Sequence, residues 1–248
     1  MTSNSSVTIC VPIYKDSLSE QEARGLHYSL RFFDKEEVRF VAPVTLSTNF
    51  YENQFPGIDF LFFPETYFQS ERTYSKLLLS LDFYRAISSK FLLILQTDAL
   101  IFSNALDYWV DQDYDYIGAP WAGGIDFAFP ALTPNLPAGG SIRPSVGNGG
   151  LSLRKVSTMV DVLQKFPVQA EIWRGVGNPE DVFLGMALQI LPNARLPNLY
   201  TAALFSIETL PSFYLRLIDE GVPFGCHAYD KYEPELWKSQ TFWPEELQ

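Results

Sequence analysis

The sequence predicts an α/β protein: a central, mostly parallel sheet flanked by helices, folded as a single domain. Three observations point there. Short apolar runs rich in β-branched residues alternate with amphipathic helical stretches through the first half of the chain. That alternation is the pattern of right-handed β-α-β crossovers. The run Phe91 to Leu95 is wholly apolar, as a strand covered on both faces must be. The chain has 248 residues, 47% of them hydrophobic, enough for one large core.

The elements follow in order. Residues 7–14, VTICVPIY, read as the first strand, closed by Pro12-Ile13-Tyr14. A helix over 19–33 sets Leu26, Leu30 and Phe33 against Glu20, Glu22 and Arg24. Strands are expected at 38–44 and 58–63, the latter fenced by Pro56-Gly57 and Pro64. A long helix over 71–87 keeps Tyr74, Leu77, Leu78, Leu81 and Tyr84 on one face. Residues 91–102 read as a buried strand that carries the polar triplet Gln96-Thr97-Asp98. A short strand is expected within 114–121, then a long ordered loop rich in Gly and Pro over 122–149. A strand with a glycine-rich entry spans 143–155, followed by helices at 155–165 and 180–191. The last expectations are a strand at 202–208, a helix near 211–219, a strand at 223–229 and a tail wrapping the surface.

Composition excludes several classes. Eighteen Lys and Arg stand against 29 Asp and Glu, a net charge of −11, so a broad basic face for nucleic acid is absent and anionic membranes repel the chain. Two cysteines, Cys10 and Cys226, make neither a disulfide framework nor a zinc site. The leading MTSNSS lacks a signal-peptide apolar core, and no apolar run is long enough to span a bilayer. The expectation is a cytoplasmic protein with no transmembrane segment.

Four local signals carry chemistry. Asp98 sits at the tip of a buried strand, where a carboxylate must be paired, hydrogen-bonded or metal-bound unless it merely caps a turn. His227 lies in the apolar strand PFGCHAY and is either a core histidine or a ligand. Val146-Gly147-Asn148-Gly149-Gly150 lets the backbone approach a ligand, or forms a bulge. It matches neither the dinucleotide fingerprint nor a P-loop. Glu180-Asp181 follows Asn178-Pro179 at a helix start, where one acid suffices for the helix dipole and the second is free for other work, such as taking a proton from an attacking hydroxyl.

In chain order these signals resemble the nucleotide-sugar-dependent glycosyltransferases of GT-A fold. In particular the chain resembles a bacterial family long described only as a domain of unknown function. The resemblance is carried by Gln96-Thr97-Asp98-Ala99, Tyr116-Ile117-Gly118-Ala119-Pro120-Trp121, Gly147 to Arg154, Pro179-Glu180-Asp181-Val182 and Gly225-Cys226-His227. The run Glu180 to Gly185 is also similar to the acidic motif of inverting β1,3-glycosyltransferases, whose second acid is the proposed base.

The resemblance implies a nucleotide-binding half near residues 7–102 and an acceptor half near 103–232. It implies a nucleoside-diphosphate sugar donor, UDP-linked, and a glycan or small hydroxyl acceptor. Pro12, Tyr14, Lys76, Gln96, Thr97, Asp98, Gly149 and Gly150 would meet the donor, and Trp121 and Asn148 the sugar or acceptor. Lys76 reads equally as a solvated helix lysine and Trp121 as a core tryptophan. Asp181, with Glu180 beside it, would be catalytic. Asp98 and His227 would hold Mn²⁺ or Mg²⁺. The family's Asp-x-Asp is reduced here to Gln96-Thr97-Asp98, which leaves a metal-independent variant open. A retaining transferase and a sugar-binding protein without chemistry are the rival readings.

Overall fold

A computed structural model describes residues 6–124, 127–128 and 141–247. Strands β1 (Val7–Pro12), β2 (Glu37–Pro43), β3 (Asp59–Phe63) and β4 (Phe91–Leu95) run parallel, with β1 between β2 and β4. Helix α1 (Glu20–Leu30) links β1 to β2, and α2 (Asn49–Gln54) links β2 to β3. Helices α3 (Glu71–Leu78) and α4 (Leu81–Arg85) link β3 to β4. After β4 come β5 (Ala99–Ile101), α5 (Leu106–Asp111), β6 (Tyr116–Ile117) and the hairpin β7 (Phe127–Ala128) with β8 (Ser141–Ile142). Strand β9 (Leu151–Lys155) then inserts antiparallel between β4 and β6, completing a six-stranded sheet in the order β3-β2-β1-β4-β9-β6.

The chain continues through α6 (Val156–Lys165), α7 (Pro167–Val176), α8 (Glu180–Ile190), α9 (Leu199–Phe205), β10 (Ser206–Ile207), α10 (Pro211–Leu217), β11 (Gly225–His227) and α11 (Pro234–Lys238). Strands β10, β11 and β5 form a second, smaller sheet with β11 in the middle. No helix among the described residues is long and apolar enough to cross a membrane.

The period of two in a strand explains the two-sided core. Ile9, Val11, Leu93 and Leu95 face one side, packed with Leu26 of α1. Cys10, Leu92 and Ile94 face the other, packed with Leu77, Leu78, Phe83, Met159 and Leu184. Each such side chain contributes about 1.5–3 kcal/mol when fully buried. With both faces covered, the strands leave only their ends open for a ligand.

Several elements differ from expectation. The helix expected over 71–87 is two helices, because the Ser80 hydroxyl bonds the Leu77 carbonyl at 2.7 Å and accepts from the Phe83 amide at 3.3 Å. It thus ends one helix and caps the next. The strand expected over 91–102 is split by a turn at 96–98, and β5 leaves for the smaller sheet. Residues 202–208 were expected as a strand, but α9 takes most of them: Asn198 caps it by accepting from the Thr201 amide at 2.8 Å, and only Ser206–Ile207 remain extended. Helices α2, α5 and α7 were not anticipated; their apolar spacing is short or interrupted. The tail does more than wrap the surface, since Trp237 and Trp243 are buried against Phe102 and Tyr229. Of the loop expected over 122–149, residues 125–126 and 129–140 lie outside the described residues.

Candidate active site

The carboxyl ends of β1 and β4 open into a cavity of about 690 Å³. Its walls are assembled by helix starts. Ser19 caps α1 through a reciprocal pair: its hydroxyl accepts from the Glu22 amide, and the Glu22 carboxylate accepts from the Ser19 amide at 2.8 Å. Ser70 and Thr73 close the start of α3 in the same manner. These caps place Ser19, Glu22, Ser70 and Glu71 on the cavity wall.

Pro12, Tyr14, Gln96, Thr97 and Asp98, the residues expected to meet a donor, line this cavity. Tyr14 is 61% exposed at the rim, with the Lys15 ammonium 5.4 Å from its ring centre. Lys76 is not among the lining residues. Ser70, Glu71 and Tyr74 share the cavity face of α3, and Lys76, two positions beyond Tyr74, projects from nearly the opposite side of the helix.

Four carboxylates line the cavity, Glu22, Glu71, Asp98 and Asp230, against one lysine, Lys15. Glu22 is held by Ser19, by the Thr97 hydroxyl at 3.3 Å and by Lys15 at 3.5 Å. Burial tends to raise its pKa, yet Ser19 and Lys15 hold it below the usual carboxylate value.

Asp98 meets His227 because of strand register. β11 pairs antiparallel with β5 so that His227 lies opposite Ala99, and the Ala228 amide donates to the Asp98 carbonyl at 3.0 Å. His227 Nε2 is 3.2 Å from Asp98 Oδ1 and 3.0 Å from Gln96 Oε1. Its Nδ1 is 3.0 Å from Glu208 Oε2, an ion-pair distance whose angles fall short of a directed hydrogen bond. Burial pulls the imidazole pKa down, but Asp98 and Glu208 outweigh it and push it up to about 10. In return, His227 outweighs the burial of Asp98 and holds that carboxyl below its ordinary value. Glu208, just beyond β10, is thus a partner of His227.

The glycine loop supplies the surface behind this cluster. A Cβ on Gly150 would sit 2.2 Å from His227 Nε2, so only glycine admits the imidazole. Gly149 turns the other way: its amide donates to Asp181 Oδ2 at 3.1 Å. Asp98, His227, the Gly149–Gly150 backbone and Asp181 therefore form one contiguous series. Asp181 is not itself part of the cavity lining.

The paired acids separate in their roles. Glu180 is 5% exposed and points into the protein, bonded to Arg154 Nη2 at 2.9 Å and to the Ser75 hydroxyl at 3.1 Å. It does not line the cavity, so its expected place in the catalytic pair becomes a structural one. Asp181 turns outward from that pair. Besides Gly149, its Oδ1 accepts from the Val182 amide at 2.7 Å, satisfying one free N–H of the α8 start. Burial first, and the Glu180 charge second, push the Asp181 pKa up to about 7. Pro179 is fixed by the Trp173 indole, which donates to its carbonyl at 2.8 Å.

Trp121 is half-buried against Val182 and Met186. Its indole donates to Asn148 Oδ1 at 3.0 Å, and Gly147 abuts its ring, where a Cβ would come within 1.9 Å. Asn148 adopts a left-handed φ of 56°, a cost Asn bears better than most residues. Its Nδ2 has no partner among the described residues.

Residues 57–227 match the family described as "Protein of unknown function (DUF5672)". The chain belongs to the DUF5672 family. The matched stretch runs from Gly57, just before β3, to His227, so this DUF5672 chain carries Asp98, the glycine loop and Asp181 within it. No curated protein matches the chain. Solved structures do. The crystal structure of mouse xyloside xylosyltransferase 1 superposes with a TM-score of 0.54 at 12% identity, over 89% of this chain and 96% of that one. The galactosyltransferase LgtC, solved with donor and acceptor sugar analogs, gives a TM-score of 0.56 at 12% identity, over 95% of this chain and 91% of that one. At this identity the likeness is one of architecture: the DUF5672 chain has the GT-A glycosyltransferase fold.

The residues that sequence reasoning missed, Ser19, Glu22, Ser70 and Glu71, had a legible signal in Ser-x-x-Glu and Ser-x-x-Thr just after strand ends. Tyr229 and Asp230 had none; the tertiary fold alone carries them to the cavity.

Proposed function

We propose that this protein transfers a sugar from a nucleoside-diphosphate sugar, UDP-linked, to a hydroxyl acceptor. One observation carries the reading: Asp98, His227, the Gly149–Gly150 backbone and Asp181 stand in series beside a cavity of about 690 Å³ at the carboxyl ends of parallel strands. Such ends are where open α/β sheets hold ligands, and the volume suits a nucleotide. The two fold neighbours are both named as sugar transferases, which agrees with this reading.

The nucleoside lies among Pro12, Tyr14 and the Ser19 and Ser70 helix starts, and the diphosphate lies toward Asp98. An acidic wall with one lysine repels a bare diphosphate. A divalent cation carried with the phosphates reverses that sign. Among the described residues no set of three or more His, Cys, Asp and Glu holds a metal unaided. Asp98 oxygen and His227 Nε2 nonetheless fit Mn²⁺ or Mg²⁺ as partial ligands, with Glu208 behind Nδ1 orienting the ring. Bound there, the cation would offset charge on the departing diphosphate. His227 must give up its Nε2 proton to bind it, so affinity rises with pH.

Asp181 acts as base toward the acceptor hydroxyl, which attacks the anomeric carbon from the face opposite the diphosphate, inverting it. The Asn148 amide and Trp121 ring face the acceptor. A carboxyl that titrates near 7 suits a general base at neutral pH. The second reading is a retaining transferase, favoured because both Asp181 oxygens already accept backbone amides. NMR of the product's anomeric proton separates the two. The test of the whole is nucleotide release from a panel of UDP- and GDP-sugars with Mn²⁺. Release from one donor, lost in Asp98→Asn, is expected; sugar binding without any nucleotide affinity overturns the proposal in favour of a binding protein.

A further inference from the structure

We infer that Arg154 is a positioning residue for Asp181, clamping through one guanidinium both the helix start that bears Asp181 and the loop carbonyl beside the amide that holds it. The inference rests on the proposed role of Asp181.

Arg154, the fourth of the five residues of β9, is wholly buried and does not line the cavity. Its Nη2 lies 2.9 Å from Glu180 Oε1 and 3.4 Å from the Gly149 carbonyl. Its Nε donates to Ser152 Oγ at 3.0 Å, and Ser152 Oγ donates onward to the same Gly149 carbonyl at 3.1 Å. Nη1 reaches the Tyr84 hydroxyl at 3.3 Å. Glu180 and Gly149 are the two neighbours of Asp181, one through the chain and one through a hydrogen bond. A guanidinium presents several donors in a fixed plane and holds both at once; an ammonium does not.

The clamp also reaches the donor side. Ser75 of α3 donates to the second Glu180 oxygen, and the preceding Tyr74 lines the cavity. The first turn of α8 is thereby tied to a cavity wall. A Cβ on Gly149 would lie 2.5 Å from Glu180 Oε1 and 3.1 Å from Arg154 Nη2, so the loop glycine is as much a fit to the clamp as to any ligand.

The groups that face Asp181 are Glu180 on its own helix, Arg154 on β9, and Tyr116 on β6, which feels the Asp181 charge. Tyr84 of α4 and Tyr74 of α3 surround the Arg154–Glu180 pair, and burial keeps both phenols protonated. Glu180 raises the Asp181 pKa and Arg154 lowers it. Neutralising Glu180 therefore lowers the Asp181 titration.

Two variants of the full chain test the clamp. In Glu180→Gln the amide oxygen still accepts from Arg154 and Ser75. The Asp181 carboxyl carbon, followed by ¹³C NMR and assigned by its loss in Asp181→Asn, is expected to titrate about one pH unit lower or more. In Arg154→Lys the charge stays but the double grip is lost. Nucleotide-release kcat is expected to fall at least about tenfold with the donor KM unchanged, since small misplacements of a base are costly. An unmoved titration in Glu180→Gln, or an unchanged kcat in folded Arg154→Lys, overturns the inference. If Glu180→Gln does not fold, the nucleotide-release kcat of Arg154→Lys decides the inference alone. If the wild type releases nucleotide from no donor, the glycosyltransferase reading falls, while the titration still decides the clamp.

Discussion

Replacing Gly150 with alanine tests whether a backbone without a side chain is what seats the imidazole. The added Cβ would lie 2.2 Å from His227 Nε2, 2.3 Å from Cε1 and 2.6 Å from Cδ2. All three separations fall well inside ordinary van der Waals contact, so the ring must move. It has little room, because Asp98 and Glu208 grip its two nitrogens. Overpacking of this kind costs about 1–3 kcal/mol. For a chain of this size that lowers the melting temperature by roughly 2–12 °C. A ring pushed off Asp98 also loses the pairing that sets its charge. The assays are thermal unfolding and calorimetry of UDP binding with and without Mn²⁺. Both a lower melting temperature and weaker metal-enhanced binding are expected. Wild-type values for both would refute the argument that Gly150 fixes the His227–Asp98 geometry.

Other consequences follow from the same contacts. Asp181→Asn should cut turnover by about 10²–10⁴-fold while leaving donor binding nearly intact; retained turnover would remove Asp181 as base. The Asp181 pKa rises on folding from 3.8 to about 7, so its contribution to stability is intact below about pH 4 and is lost as pH rises toward 7. Asp181→Asn should therefore gain stability relative to wild type between pH 4 and 8, measured by urea unfolding at each end. Arg154→Ala leaves the Glu180 carboxylate buried without its cation and should destabilise by about 3–5 kcal/mol, whereas Arg154→Ala combined with Glu180→Gln should recover part of that loss. Gly175→Ala in α7 meets nothing within 4 Å and should stabilise by about 0.5–1 kcal/mol, read as a higher unfolding midpoint.

The two adjacent acids show where local pattern stops informing. Their position after Asn178-Pro179 marks a helix start in the sequence, and α8 begins there. Which acid works inward and which outward is decided by a partner 26 residues away, Arg154, and by the Gly149 amide. The same holds for Glu208: only the parallel β10–β11 register, which pairs Ile207 with Cys226, puts His227 beside it. Lys76, expected to meet the donor, does not line the cavity, because the turn of α3 carries Tyr74 there instead.

By itself the sequence determined the parallel βαβ order, the buried central strand, the strand-tip Asp98 and the glycines that must admit something close. These follow from local periodicity and backbone freedom, which act over a few residues. Tertiary structure alone decided that β11 returns beside β5, that Gly150 admits an imidazole rather than a ligand, and that Glu180 is a buried partner of Arg154. Those facts depend on contacts between residues far apart along the chain. No local preference encodes them, because burial and pairing are properties of the packed whole.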